Sequence, residues 1–355
     1  MQDKVNRRQM LSLAFVSLLS PLARRFPSSL VMGSATAAYL APIIAAPILA
    51  LLVVIWARVL RGNRDLAMVL ENSLGKGLGR LTIYIIGIWL IFYSAFILRA
   101  AAYRFAATAY PGTTPWIFII ISAAVCLPLA AGKFSALCRM SVLIKPLLLT
   151  ALGVVFLFSM VDGHFEGMFA VTKADAVPVA KSALTVVNTL SVVGYLAFAE
   201  GHCKEDFQPR RWLIWAAMGL AITEMLCLSC LGVFGAELTG KLNYPFFMLV
   251  RDISIFNSFA RMEALVIALW IFTDLVHVSL LLHIARGNLS RGSDGGAKAL
   301  PIICCALAAA AGLVMPGDML GVGMFSEKLI PIGNALIFFG ILPIAVGIGF
   351  LRKRL

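Results

Sequence analysis

The sequence predicts an all-α integral membrane protein of ten transmembrane helices, built as two inverted five-helix repeats with the first helix of each half broken. Three observations carry this prediction. The chain of 355 residues is 61% hydrophobic and only 13% charged, with a mean hydropathy of +0.94. So much apolar surface exceeds what one soluble core can hide, and lipid must solvate much of it. Ten apolar stretches are long enough to cross about 30 Å of hydrocarbon. The first and sixth carry helix breakers at comparable distances from their starts.

The stretches fall near 9–32, 36–57, 81–105, 115–131, 141–160, 182–201, 211–235, 262–285, 298–315 and 329–351. They form a single transmembrane domain over residues 1–355, with repeats at about 9–160 and 182–351. Lys4, Arg7 and Arg8 ahead of the first run imitate a signal peptide, but a multispanning chain needs none cleaved, so this run reads as an uncleaved first span. The third span is entered through "GKGLGR", which lacks the strand before it and the Lys-Ser/Thr ending of a phosphate loop, and reads as a cytoplasmic lead. Segments 161–181 and 236–261 have compositions that fit short surface helices, while "GNLSRGSDGGAK" is a flexible loop.

The net charge of +13 could suggest nucleic acid, but most Lys and Arg sit in short turns between apolar runs, and no nucleic-acid partner is expected. With the N-terminus inside, nineteen Lys and Arg fall on inside segments and six on outside ones. This bias predicts that both termini are cytoplasmic. Of the five remaining cations, Arg104 lies near a helix end and is expected to snorkel, whereas Arg99 and Lys145 look deeper. The seven cysteines make no paired metal-ligand cluster with the four scattered histidines, and Cys227 and Cys230 read as packing residues of the seventh span. No metal, cofactor or catalytic set is expected, and the chain does not read as an enzyme.

The first span reads "MLSLAFVSLLSPLARRFPSSLVMG". Pro21 and Pro27 each remove a backbone donor, and the carbonyls they free need a partner from protein, water or ligand. The sixth span carries Gly194, Glu200 and Gly201. Paired interruptions in two halves are the sequence pointer to an inverted-repeat transporter with its site at the breaks. Helix N-termini exposed at a break favour anions, and Arg24 and Arg25 there would favour a carboxylate. The alternative is that both arginines snorkel to one interface.

Several strings then resemble one family. They are "NRRQMLSLAFVSLLSPLARRFPSSL", "NSLGKGLGRLTIYIIGIWLIFYSAFILR", the stretch from "FGAELTGKLNYPFFMLVRDISI" to "FARMEALVIALWIFTDLVHVSLLLH", and the tail "LRKRL". The chain resembles the B-subunit permeases of spore-germination nutrient receptors, the GerAB-type branch of the amino acid/polyamine/organocation superfamily. The resemblance implies a LeuT-like fold and a small-nutrient site between spans 1, 3, 6 and 8. It also implies A- and C-type partner subunits in the inner membrane of the spore. The chain departs from the family pattern at Ser20 and Pro21, where a small flexible pair is usual, and at Asp274 and His277.

Ligand-contacting candidates are Ser20, Arg24, Arg25, Arg99, Gly194, Tyr195, Glu200 and Asp274. Asp274 and His277 stand three apart on one helix face, either as a proton-coupling or ligand-contacting pair or as a buried structural hydrogen bond. Lys145 precedes Pro146 and either occupies the place that sodium takes in coupled relatives, as the resemblance implies, or lies at the interface. Arg99 is expected to pair with Asp274 or Glu200 or to contact substrate, and Glu224 to accept a packing hydrogen bond. The expected function is a membrane subunit that binds a small nutrient such as an amino acid and signals to partners. The alternative is a proton-coupled amino acid transporter working alone.

Overall fold

A computed structural model describes residues 3–23, 26–62, 65–108, 110, 112–166, 171–252, 262–291, 298–316 and 319–352. The described chain is helical almost throughout. The first predicted span is two helices, α1 (Arg7–Ala23) and α2 (Phe26–Ser34). Arg24 and Arg25, between them, lie outside the described residues, and so does the question of whether they line a site or snorkel. A 3-10 turn, Ala35–Tyr39, leads into α3 (Leu40–Val59).

The cytoplasmic loop expected after the second span holds a short helix that the apolar pattern did not announce, α4 (Leu66–Leu74). Asp65 caps it by accepting from the Met68 amide at 2.6 Å, and Gly75, at φ 87°, ends it. There follow α5 (Lys76–Thr108), α6 (Pro115–Ala131) and α7 (Phe134–Asp162). The sixth span is α8 (Ala176–Ser191) continued by a 3-10 stretch, Val192–His202. The expected interruption at Gly194 to Gly201 is therefore a tightened helix, and among the described residues no unwound loop divides it. Next come α9 (Pro209–Lys241), α10 (Pro245–Asp252), α11 (Met262–Leu289) and α12 (Leu300–Val314).

The last span is irregular. Between α13 (Met319–Met324), α14 (Ile330–Ala335) and α15 (Leu342–Leu351) run two π-helical turns, Phe325–Leu329 and Leu336–Ile341. Such wide turns are uncommon and gather at functional sites.

Seven helical stretches among the described residues are long and apolar enough to cross a membrane, and Pro115–Ala131 and Leu300–Val314 are shorter apolar helices. The chain is an integral membrane protein, but length and composition alone do not reproduce the count of ten spans. Packing is centred on α1, which lies against α7 and α11, while α5 lies against α11 and α12. Leu13, Phe15, Leu18, Leu22, Phe96 and Tyr195 are almost wholly buried here, whereas α3, α6 and α12 turn exposed Ile, Leu and Val outward to the membrane.

Segments assigned to the inside by charge touch one another. Arg291 reaches Asp65 and Glu71 at 3.5 and 3.4 Å, and Arg352 donates to the Ser73 carbonyl at 3.5 Å. At the opposite end Ser34 donates to Ser182 at 3.1 Å, and the His164 amide to the Gly232 carbonyl at 2.8 Å.

Candidate functional site

Polar side chains carried into apolar helices find their partners between helices, and three groups of them are candidates for a functional site. The first joins spans 1, 3 and 8. Asp274 on α11 is buried, accepts from the Ser20 hydroxyl at 2.5 Å and forms an ion pair with Arg104 of α5. The Arg104 guanidinium lies 4.0 Å from the Trp270 ring centroid, so charge and π face act on it together. The expectation that Arg104 snorkels is thus corrected. It is 5% exposed, because a carboxylate at membrane depth must be neutralised by a cation within reach.

Arg99 likewise does not take either carboxylate expected of it. Asp274 pairs with Arg104 and Glu200 with Arg7, and Arg99 keeps a buried Nε without a partner. Glu224 corrects a further expectation, since its buried Oε2 accepts no hydrogen bond. His277 stands edge-on to Tyr93 with centroids 5.5 Å apart, and the Lys145 ammonium lies 5.5 Å from the Phe15 ring centroid, facing α1.

The second group lies where spans 3, 6 and 10 meet. The Trp89 indole donates to the Tyr195 hydroxyl at 3.0 Å and to Asn334 Oδ1 at 3.1 Å, and the Tyr195 hydroxyl donates to the same Oδ1 at 2.8 Å. Gly333 permits this closeness, since a Cβ there would stand 2.0 Å from Trp89 Cη2. Beside this triad is a cavity of about 700 Å³. Pro21, Phe26, Tyr93, Phe96, Asn188 and Asn334 are among the side chains that line it. Asn188 spends its amide on the Pro331 carbonyl at 2.9 Å and keeps a buried carbonyl oxygen without a partner. The cavity reaches the surface beside Met32 and Glu327, both exposed.

The third group closes the opposite end. Arg7, wholly buried, makes a two-pronged pair with Glu200, at 2.9 Å for Nη1 to Oε2, and donates 2.7 Å to the Glu205 carbonyl. Val5 pairs with Cys203 as a parallel bridge, its amide 2.9 Å from the His202 carbonyl and its carbonyl 2.9 Å from the Lys204 amide. Lys4 donates to the Gly201 carbonyl at 2.9 Å. Asp3 caps α7, accepting from the Phe134 and Ser135 amides at 2.6 and 3.1 Å. Burial would raise the Asp3 carboxyl, but hydrogen bonds from Ser135 and Phe134 outweigh it and hold the pKa below the ordinary value. Residues 3–7 therefore form a strap over the Phe134 end of span 5 and the His202 end of span 6.

Of the sequence candidates, Ser20 and Asp274 meet at the centre and Tyr195 stands in the triad. Gly194 and Glu200 line a separate small pocket of about 80 Å³ with Trp212 and Trp215, on the strap side. Glu200 is corrected from ligand contact to strap anchor, because its carboxylate is committed to Arg7. Arg7, Trp89, Asn188 and Asn334 were missed. Asn188 and Asn334 carried a signal, as amides inside otherwise apolar spans, whereas Arg7 was indistinguishable from any inside-facing cation.

The helical membrane bundle thus has a cavity toward one end, a sealed opposite end and one ion pair, Arg104 with Asp274, between them. Two solved structures share the fold across the chain. The crystal structure of MhsT in complex with L-phenylalanine is 16% identical, with a TM-score of 0.66 and 99% of each chain covered. The substrate-bound outward-open state of a Na+-coupled sialic acid symporter is 12% identical, with a TM-score of 0.64, covering 95% of this chain and 78% of that one. No curated protein matches the sequence. Residues 4–291 match the model of the spore germination protein family, the spore permeases, and the chain belongs to that family.

Proposed function

We propose that the protein is the nutrient-binding membrane subunit of a spore germination receptor, taking a small ligand such as an amino acid into the cavity between spans 1, 3, 6 and 10. The observation that carries this reading is the asymmetry of the bundle. A polar-floored cavity of about 700 Å³ lies in one half, and the strap seals the other. MhsT, which shares the fold, was captured with L-phenylalanine, and pockets of roughly 300–1,000 Å³ suit ligands of that class. The aromatic walls, Phe26, Tyr93 and Phe96, hold the apolar part, and Asn188 and the triad offer hydrogen bonds. Arg24 and Arg25, if they face the cavity, bind the carboxylate.

Ligand binding shifts the protein between two states only if the two bind it unequally. The strap is the element whose seating differs between such states, and it lies where A- and C-type partners on the inner side of the spore membrane would sense it. The nineteen-to-six charge bias and the contacts among inside segments support cytoplasmic termini.

The test is equilibrium binding of a labelled amino acid panel to the full chain in lipid vesicles, beside Asn188→Ala, Arg24→Gln and Arg25→Gln. Saturable binding that Asn188→Ala weakens supports the cavity, and weakening by either arginine variant adds the carboxylate contact. No binding by any panel member sinks the reading. Concentrative uptake by the isolated chain, dependent on Asp274 and His277, would instead establish a lone proton-coupled transporter.

A further inference from the structure

The membrane-facing surface holds a second large recess, between spans 4, 5 and 8. Both α6 and α7 pack on α11, yet they scarcely touch each other, so a groove is left between them with α11 as its floor. Its volume is about 660 Å³. Val125 and Pro128 form one wall, Met140 the other, and Phe272 and Leu275 the floor, and all its lining is apolar. Pro128 lies inside α6 and lines the groove, and as a proline it removes a backbone donor there.

The inner end of the groove is basic. Lys133 and Arg139 are exposed beside the α6–α7 turn, and Arg286 donates to the Ala131 carbonyl at 2.7 Å. Arg139 hydrogen-bonds only neutral acceptors, the Ser135 carbonyl at 3.2 Å and hydroxyl at 3.1 Å, which leaves its charge uncompensated. The one described carboxylate at this turn is Asp3, committed to the Phe134 and Ser135 amides. Three cations against one capped carboxylate give the mouth a net positive field.

We propose that this groove holds an anionic phospholipid, its acyl chains between α6 and α7 and its phosphate at Lys133 and Arg139. The volume accommodates chains rather than a side chain or two, and basic pockets between helices on the cytoplasmic side are where anionic head groups bind. A partner's transmembrane helix would also fit an apolar wall, but it would leave the basic mouth unmatched. The choice rests on charge complementarity, and it does not depend on what the central cavity binds.

The experiment uses the full chain in nanodiscs of phosphatidylcholine doped with a phosphatidylglycerol that carries a photoreactive group on one acyl chain. Labelled peptides are mapped by mass spectrometry. The expected result is label concentrated on 121–129, 140 and 272–275, displaced by unlabelled phosphatidylglycerol and not by phosphatidylcholine. Each of Lys133→Gln and Arg139→Gln should lower the labelling affinity roughly fivefold, and the pair roughly 25-fold. Ala124→Phe, which fills the groove without touching its charges, should abolish the groove label while leaving label elsewhere in the belt. Label spread evenly round the belt would overturn the proposal. So would equal competition by the two lipids, or conjugation to a second protein chain in place of lipid.

Discussion

Replacing Glu200 with Gln tests the strap directly. The Arg7 guanidinium is wholly buried and holds two hydrogen bonds to Glu200, one to the Glu205 carbonyl and one to the Met10 sulfur at 3.6 Å. Removing the carboxylate's charge leaves a cation in a low-dielectric site, which costs about 3–5 kcal/mol where the remaining partner stays buried. The protein can escape that cost by lifting residues 3–7 and hydrating Arg7. Since about 1.4 kcal/mol is tenfold, the lifted population should rise by roughly two to four orders of magnitude. Cys203 reports this, because it is 1% exposed beneath Val5 and becomes reachable only when the bridge opens.

The assay is the rate of maleimide attachment to Cys203 of the full chain in nanodiscs, located by mass spectrometry and compared with wild type. When opening and closing are fast relative to labelling, that rate follows the open population. Restoring neutrality with Arg7→Met in the same chain should return the rate most of the way, as removal of both partners costs far less than removal of one. An unchanged rate in Glu200→Gln, or a double variant that labels as fast as the single, would refute the claim that this ion pair holds the strap down.

Other consequences follow from the same contacts. Gly333→Ala should push Trp89 off Asn334 and Tyr195, since its new Cβ would stand 2.0 Å from the indole; a cost of about 1–3 kcal/mol and a shifted tryptophan emission are expected, and unaltered emission would contradict the packing. Asp274→Asn should lower the melting temperature in detergent by leaving Arg104 charged at its buried position, with partial recovery in Asp274→Asn/Arg104→Met; equal melting of single variant and wild type would show that the pair does not hold spans 3 and 8 together. Because hydrogen bonds depress the Asp3 pKa, its stabilisation of the strap is present above 3.8 and lost as pH falls through the folded value. Hydrogen exchange at the Val5 and Lys204 amides, corrected for its intrinsic pH dependence, should therefore speed up below that range in wild type and not in Asp3→Ala, which should already exchange faster at pH 7 by loss of a cap worth about 1 kcal/mol.

How far the sequence was legible depended on whether a feature was local. The apolar runs at 141–160 and 262–285 became α7 and α11 almost in register, because hydrocarbon fixes the length of what crosses it. The short α4 escaped notice, since nine residues capped by Asp65 leave too few turns for a clear apolar stripe among loop residues. Asp274 was legible as a costly group needing a partner, but Arg104, which lies 170 residues away in the chain, was not legible as that partner. Position along a span placed Arg104 near an interface and Arg99 deeper, yet it is Arg104 that pairs with the buried carboxylate.

The amino-acid sequence by itself determined that this chain lives in a membrane, where most of its helices run, and that the first of them is interrupted. Those properties follow from hydropathy, length and proline chemistry, which act along the chain. The tertiary structure alone decided which charges neutralise one another, which end is sealed and where a cavity remains. Arg7 with Glu200 and Arg104 with Asp274 are choices made across the bundle. In a low-dielectric interior a charge must find its counter-charge in space, and helix rotation, which no local pattern encodes, sets who is near enough to serve.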